Sequence, residues 1–298
     1  MGREHSKGKS SIREKVETMQ PKTKAILQIA LACTLWSFAG LLSKMVPWNA
    51  LSIVGFRALV AVILVGIYRR DFRPKLSKGT WIGAGGVLTT AILFIFANKL
   101  TSAANAIVLQ YAMPIVVILY SVVFRKKRPS RLETGTVLAA GAGILLCFAQ
   151  GLKGGGMLGD LLSLLSAVTY AVMFLAGQRE DCDALSYTYL GALAGCALML
   201  FMPFDPAVSA NPLEWLMAGL MGVCLGFGYI FFSAGMRSGI SPLTAAIVAN
   251  VEPILNPTWC FLFLREWPGY LTLSGALIVL IVVSVYTILS SRTQARAV

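Results

Sequence analysis

Ten apolar stretches follow one another with little between them. Their approximate bounds are 25–46, 48–68, 80–100, 103–124, 133–150, 158–177, 186–204, 213–236, 243–264 and 268–290. Each is long enough for a bilayer core of about 30 Å. A chain with this pattern has one solution open to it, since backbone N–H and C=O groups in hydrocarbon must be satisfied within the helix. The expected fold is all-α, with ten transmembrane helices. Charged residues make up 13% of the sequence, against about 25% in soluble domains.

The net charge of +13 is distributed by face. Seven basic residues lie at or before Lys24, five between Arg69 and Lys78, and five between Arg125 and Arg131, with Arg179, Arg237, Arg292 and Arg296 on the same side of a ten-span topology. Only Lys44, Lys99, Lys153 and Arg265 fall on the other side, and Arg57 lies inside a span. This asymmetry places both termini in the cytoplasm, with the chain in the plasma (inner) membrane. Nucleic acid is not expected as a partner, because the basic clusters carry no interleaved stacking aromatics. The first span reads as a retained helix behind a polar tail. The six cysteines, without a C-x-x-C pair, read as packing residues.

The chain repeats itself. A shift of 134 residues places Ala50-Leu51-Ser52 on Ala184-Leu185-Ser186 and Trp81 on Trp215; further along, a shift of 139 places Ser102 on Ser241, Pro114-Ile115 on Pro253-Ile254 and Phe124 on Phe263. The expected organisation is a tail (1–24), a first five-helix repeat (25–150), a glycine-rich connector (151–157), a second repeat (158–290) and a C-terminal tail (291–298). Five spans per half is an odd number, so the halves enter the membrane in opposite orientations. Such inverted repeats exchange conformations around a midplane site.

Span 9 carries A-N-V-E-P-I-L-N-P at 249–257. Glu252 is nine residues inside the span, roughly 13–14 Å deep at 1.5 Å per residue. A charged carboxylate there costs at least ~2.5 kcal/mol unless it faces water, finds a partner or binds a proton. Pro253 and Pro257 deprive the carbonyls of Ala249 and Pro253 of their helical donors, and Pro114 does the same to Gln110, beside Tyr111. Broken helices at matched depth in two halves point to a transport site. The other reading of these prolines is kinking for packing.

Arg57 is at similar depth in span 2, and Glu252 is the simplest expected partner for it. Two roles stay open for Arg57: binding a substrate carboxylate, or tethering helices. Trp36 and Tyr170 occupy equivalent mid-span places, as cavity residues or as packing. Trp48, Trp81, Trp215 and Trp267 read as interfacial anchors. Gly191 with Gly195, and Gly222 with Gly226, have the spacing of close helix packing.

The residues Trp36-Ser37, Arg57, Pro114, Glu252-Pro253 and Phe263-Leu264-Arg265-Glu266 make the chain resemble the EamA-like branch of the drug/metabolite transporter superfamily over about residues 25–290. The first half departs from the pattern, reading Phe124-Arg125-Lys126-Lys127-Arg128 where the second has its glutamate. The resemblance implies an exporter of amino acids or related metabolites, with a central cavity and helices 5 and 10 peripheral. The expected site is Trp36, Arg57, Gln110, Tyr111, Tyr170, Asn250 and Glu252, with Glu252 carrying a coupling proton and Pro114, Pro253 and Pro257 breaking helices. No cofactor or metal is expected, and no nucleotide-binding loop is present to use ATP. The partners are a small-molecule substrate and membrane lipids; assembly as a homodimer is left open. An intramembrane enzyme is disfavoured, since the single histidine is His5 in the tail and no aspartate sits at the centre of a span. An organic-cation exporter, a lipid flippase and a non-transporting membrane scaffold stay open.

Overall fold

A computed structural model describes residues 4–126, 128–238 and 242–295. Lys127 and Ser241, used above for topology and repeat, lie outside the described residues, as do Arg3 and Arg296. The described residues form α-helices and one 3₁₀ segment, with no strand. Ten of these helical stretches are long and apolar enough to cross a membrane.

The first three spans are single helices: α1 (Glu4–Met45), α2 (Ala50–Arg69) and α3 (Lys78–Leu100). The helix α1 starts within the expected tail. Span 4 is divided into α4 (Ala103–Gln110) and α5 (Met113–Val123), and span 5 is α6 (Arg131–Gly154). The second half repeats this order: α7 (Met157–Gly177), α8 (Ala184–Cys196) continued by the 3₁₀ segment Ala197–Phe204, α9 (Pro212–Arg237), a divided span 9 of α10 (Pro242–Ala249) and α11 (Val251–Leu264), and α12 (Tyr270–Ala295). Side-chain caps set several starts. Asn49 accepts from Leu51 and Ser52, Ser102 from Asn105, and Ser130 forms a reciprocal box with Glu133.

The two divided spans correspond. Pro114 is the second residue of α5 and Pro253 the third of α11, and each break lies just before its proline, at Tyr111–Ala112 and at Asn250. This is where a proline withholds its N–H from the residue four earlier. Pro257 differs from expectation, for α11 runs through it without a break. The lone missing donor is absorbed within a helix that continues for seven further residues to Leu264.

The halves interlock. The most extensive helix pairs are α3 with α7 and α1 with α9, which are counterparts under the repeat. The fifth and tenth spans lie against each other, and a Cβ on Gly143 would come within 2.8 Å of the Gly275 carbonyl oxygen. Gly222 similarly brings α9 onto α2, beside the Arg57 carbonyl.

The face opposite the basic loops is tied by polar contacts. Lys44 Nζ lies 2.7 Å from Glu266 Oε2 and donates to the Thr101 carbonyl at 2.9 Å, while Glu266 Oε1 accepts from the Ala103 amide that opens α4. Lys99 donates to the Val46 carbonyl, and the Asn49 amide donates to Asp205. Burial acts to raise the Asp205 pKa, but backbone hydrogen bonds from Asn49 and Ala207 and the Lys99 charge outweigh it and hold it below the usual value. Trp48 departs from its expected role as an anchor. It is fully buried, packed edge-on against Phe56 and Trp215, and donates to Glu214 at 2.8 Å. The Glu214 carboxylate satisfies its buried N–H, whereas Trp81 and Trp267 remain exposed at span ends.

Candidate functional site

A cavity of about 140 Å³ lies at mid-depth between the halves, lined by Trp36, Arg57, Tyr111, Tyr170, Tyr229 and Glu252 among others. Gln110 also lines it. A second cavity of about 190 Å³ shares Trp36, Tyr111 and Tyr170 with the first and adds Pro114 and Asn250. Its remaining lining includes Phe174, Met236 and Thr287, all towards the helix ends on the basic face. The second cavity therefore adjoins the first on the side of the basic loops, and on the opposite face the Lys44–Glu266 contact joins α1 to the end of α11.

The break in span 9 builds the acidic side of the site. With no N–H on Pro253, the Ala249 carbonyl needs another donor, and the Tyr111 hydroxyl lies 3.1 Å from it. The same hydroxyl lies 2.9 Å from Glu252 Oε2. One tyrosine at the break of span 4 thus meets both the freed carbonyl and the carboxylate at the break of span 9. Asn250 points elsewhere, donating through Nδ2 to Ser284 Oγ on α12 at 2.9 Å.

Arg57 lies across the cavity and is buried, with 5% exposure. The expected ion pair with Glu252 is not formed. Nη1 is 3.8 Å from Met221 Sδ, a weak acceptor, and Nε has no partner. The two groups come from different helices, α2 and α11, and the cavity lies between them. A hydrogen bond to a charged group contributes about 1.5–3 kcal/mol, whereas burying an ion costs several kcal/mol. Tyr111 alone does not offset the cost for Glu252, and a thioether does not offset it for Arg57. An unbalanced acid and an unbalanced base thus face one space.

Trp36 is seated by a missing side chain. A Cβ on Gly228 would collide with its indole, which packs against Tyr229 and Phe232 at 5.8 and 5.3 Å between centroids. Outward of the site, Trp259 of α11 stacks on Phe38 of α1 at 5.0 Å and donates to Ser37 Oγ at 2.9 Å, sealing α1 to α11.

Sequence reasoning missed two features. Tyr229 lines the cavity, and its only signal was a hydroxylated aromatic in mid-span. Asp160, in the first turn of α7, is fully buried and accepts from Thr101 Oγ1 at 2.7 Å and from Asn105 Nδ2 at 3.0 and 3.1 Å, while Asn105 Oδ1 accepts from Thr272 of α12. Its position beside the glycine-rich connector was the available clue. This knot joins spans 3, 4, 6 and 10 outside the cavity.

Ten membrane-spanning helices in two repeats around a central cavity define a multi-pass membrane carrier. The chain belongs to the EamA-like transporter family, whose model matches residues 23–149 and again 157–289. It is similar to the Pseudopaline exporter CntI of Pseudomonas aeruginosa, 24% identical over 239 residues that cover 78% of this chain and 84% of that one. An uncharacterized transporter of Archaeoglobus fulgidus is 22% identical over 280 residues, covering 87% and 95% respectively. A solved crystal structure shares the fold with a TM-score of 0.59 and 21% identity, over 91% of this chain and 99% of the other.

Proposed function

We propose that this transporter exports amino acids or related small metabolites by alternating access, driven by a gradient rather than by ATP. The observation that carries the reading is that Arg57 and Glu252 line one cavity without bonding each other. A zwitterion supplies what each lacks: its carboxylate accepts from the guanidinium, and its ammonium meets Glu252 within the ring faces of Trp36, Tyr111, Tyr170 and Tyr229. In this reading the substrate-binding residues are Trp36, Arg57, Gln110, Tyr111, Tyr170 and Glu252, and Asn250, expected among them, instead ties the break of span 9 to α12 through Ser284. The exporter name of the Pseudomonas relative supports the direction.

Membrane orientation follows from the charge asymmetry, with both termini and the Arg70, Arg179 and Arg237 loops cytoplasmic in the plasma membrane. In this orientation the second cavity lies on the cytoplasmic side of the first, the side from which an exported solute loads. Proton antiport is the proposed coupling. Glu252 takes up a proton when the cavity faces outward and releases it when the next solute arrives from inside. The aromatic lining favours a second reading, in which the solute is an organic cation and Arg57 holds helices.

Uptake of a panel of radiolabelled amino acids into proteoliposomes tests the function. Saturable accumulation of one or more supports it. Transport of tetraalkylammonium ions alone favours the second reading, and movement of neither class overturns both.

A further inference from the structure

A larger space than either central cavity borders the helices. It is a groove of about 490 Å³ between α3, α5 and α7, open at the basic face. Its walls include Val116, Leu119, Tyr120, Ala171 and Val172, and its rim carries Arg125 and Arg179. The central site does not use it.

The repeat shows what this groove is. The 139-residue shift carries Trp259 onto Tyr120, and the 134-residue shift carries Ser37-Phe38 onto Ala171-Val172. The groove is therefore the inverted counterpart of the α1–α11 seam. There Trp259 stacks on Phe38 and bonds to Ser37, and the seam is filled. Here a tyrosine, an alanine and a valine replace that trio. Tyr120 turns to Phe124 and Arg125 instead, and the space stays open.

The rims differ in charge. The filled seam ends at Glu266, whose carboxylate neutralises Lys44 and caps α4. The matching segment of the first half is Arg125-Lys126-Lys127-Arg128, with a lysine in the sequence at the place of the glutamate. Beside Arg179, the Asp181 carboxylate lies 2.8 Å from the guanidinium and accepts from the Gly79 amide at 3.1 Å, which leaves part of the Arg179 fork for another acceptor. Arg125 at this rim has no ion pair with a carboxylate among the described residues, and its ring contact is Tyr120, while the groove beneath it lacks the stacked pair that fills the other seam.

We infer that an anionic phospholipid occupies this groove, one acyl chain filling the space between α5 and α7 and its phosphate held at Arg125 and Arg179, where the other half uses Trp259 and Glu266. A phosphate presents several acceptor oxygens to guanidinium forks. The chain length below it distinguishes a lipid from a free anion, because Leu119, Val123 and Val172 are exposed apolar walls that phosphate alone would leave bare.

The test uses the full-length protein in detergent, with retained lipid counted by intact-complex mass spectrometry. The probes are phosphatidylglycerol, phosphatidylcholine with the same acyl chains, and inorganic phosphate. Wild type should retain phosphatidylglycerol roughly tenfold over phosphatidylcholine, as expected of basic residues near an anionic headgroup. The double variant R125Q/R179Q should bring the two lipids near parity. Val172→Phe installs the residue found in the filled seam and should lower retention of both lipids with the arginines intact. Equal retention by wild type, a preference that survives R125Q/R179Q, full retention by the Val172→Phe protein, or displacement of the lipid by inorganic phosphate would each overturn the inference.

Discussion

Tyr111 and Glu252, from the broken fourth and ninth spans, meet at 2.9 Å, and the same hydroxyl lies 3.1 Å from the carbonyl that Pro253 leaves without a helical donor. One phenol thus joins the two breaks. Tyr111→Phe preserves the ring and removes the hydroxyl. Its expected cost is about 1–3 kcal/mol, the usual penalty for an unsatisfied buried acceptor, read as a lowered thermal midpoint in detergent. An unchanged midpoint would mean that the hydroxyl does not join the breaks.

Arg57 tests the division of labour in the cavity. With a zwitterionic substrate, Arg57→Gln should weaken binding by roughly 10- to 150-fold, the equivalent of one charged hydrogen bond. The corresponding amine without its carboxylate should bind the variant and the wild type alike. Equal losses for both ligands would assign Arg57 to holding helices.

The Lys44–Glu266 contact covers a small cluster in which Cys260, Leu41 and Ala103 are buried. Glu266→Gln removes the ion pair and weakens the acceptor that caps α4 at Ala103. Membrane-impermeant maleimide added from outside should then label Cys260 several-fold faster than in wild type. No change in rate would mean that this face is held shut by the Trp259–Phe38 packing alone.

Gly151 faces Asp160 so closely that a Cβ would collide with the carboxylate. Gly151→Ala should cost about 1–3 kcal/mol through forced displacement of that side chain. Gly141 has open space where its Cβ would be, so Gly141→Ala serves as the control. Denaturation midpoints of the two proteins, compared side by side, check the difference.

The span count, the repeat and the breaks at Pro114 and Pro253 were legible because each is written in local sequence: apolar length, matched residues and a missing N–H. What crosses between helices was not. Nothing local told that Arg57 would stand off from Glu252, since their separation depends on how α2 and α11 splay around the cavity. Pro257 carries the same local signal as Pro253, yet the helix runs through it. Trp48 looked like an anchor by position, but a partner 166 residues away, Glu214, takes its N–H. Asp160 went unread because its partners, Thr101 and Asn105, lie more than fifty residues away in the chain.

The central claim is that Glu252 couples proton movement to solute movement. The direct measurement is accumulation of a transported amino acid in proteoliposomes under an imposed pH gradient, comparing wild type with Glu252→Gln, which keeps shape and removes titration. The account predicts that the variant loses gradient-driven accumulation while retaining binding or downhill exchange of the same solute. If the variant concentrates solute against its gradient at the wild-type rate, Glu252 is not the coupling residue and the proton-antiport account is contradicted.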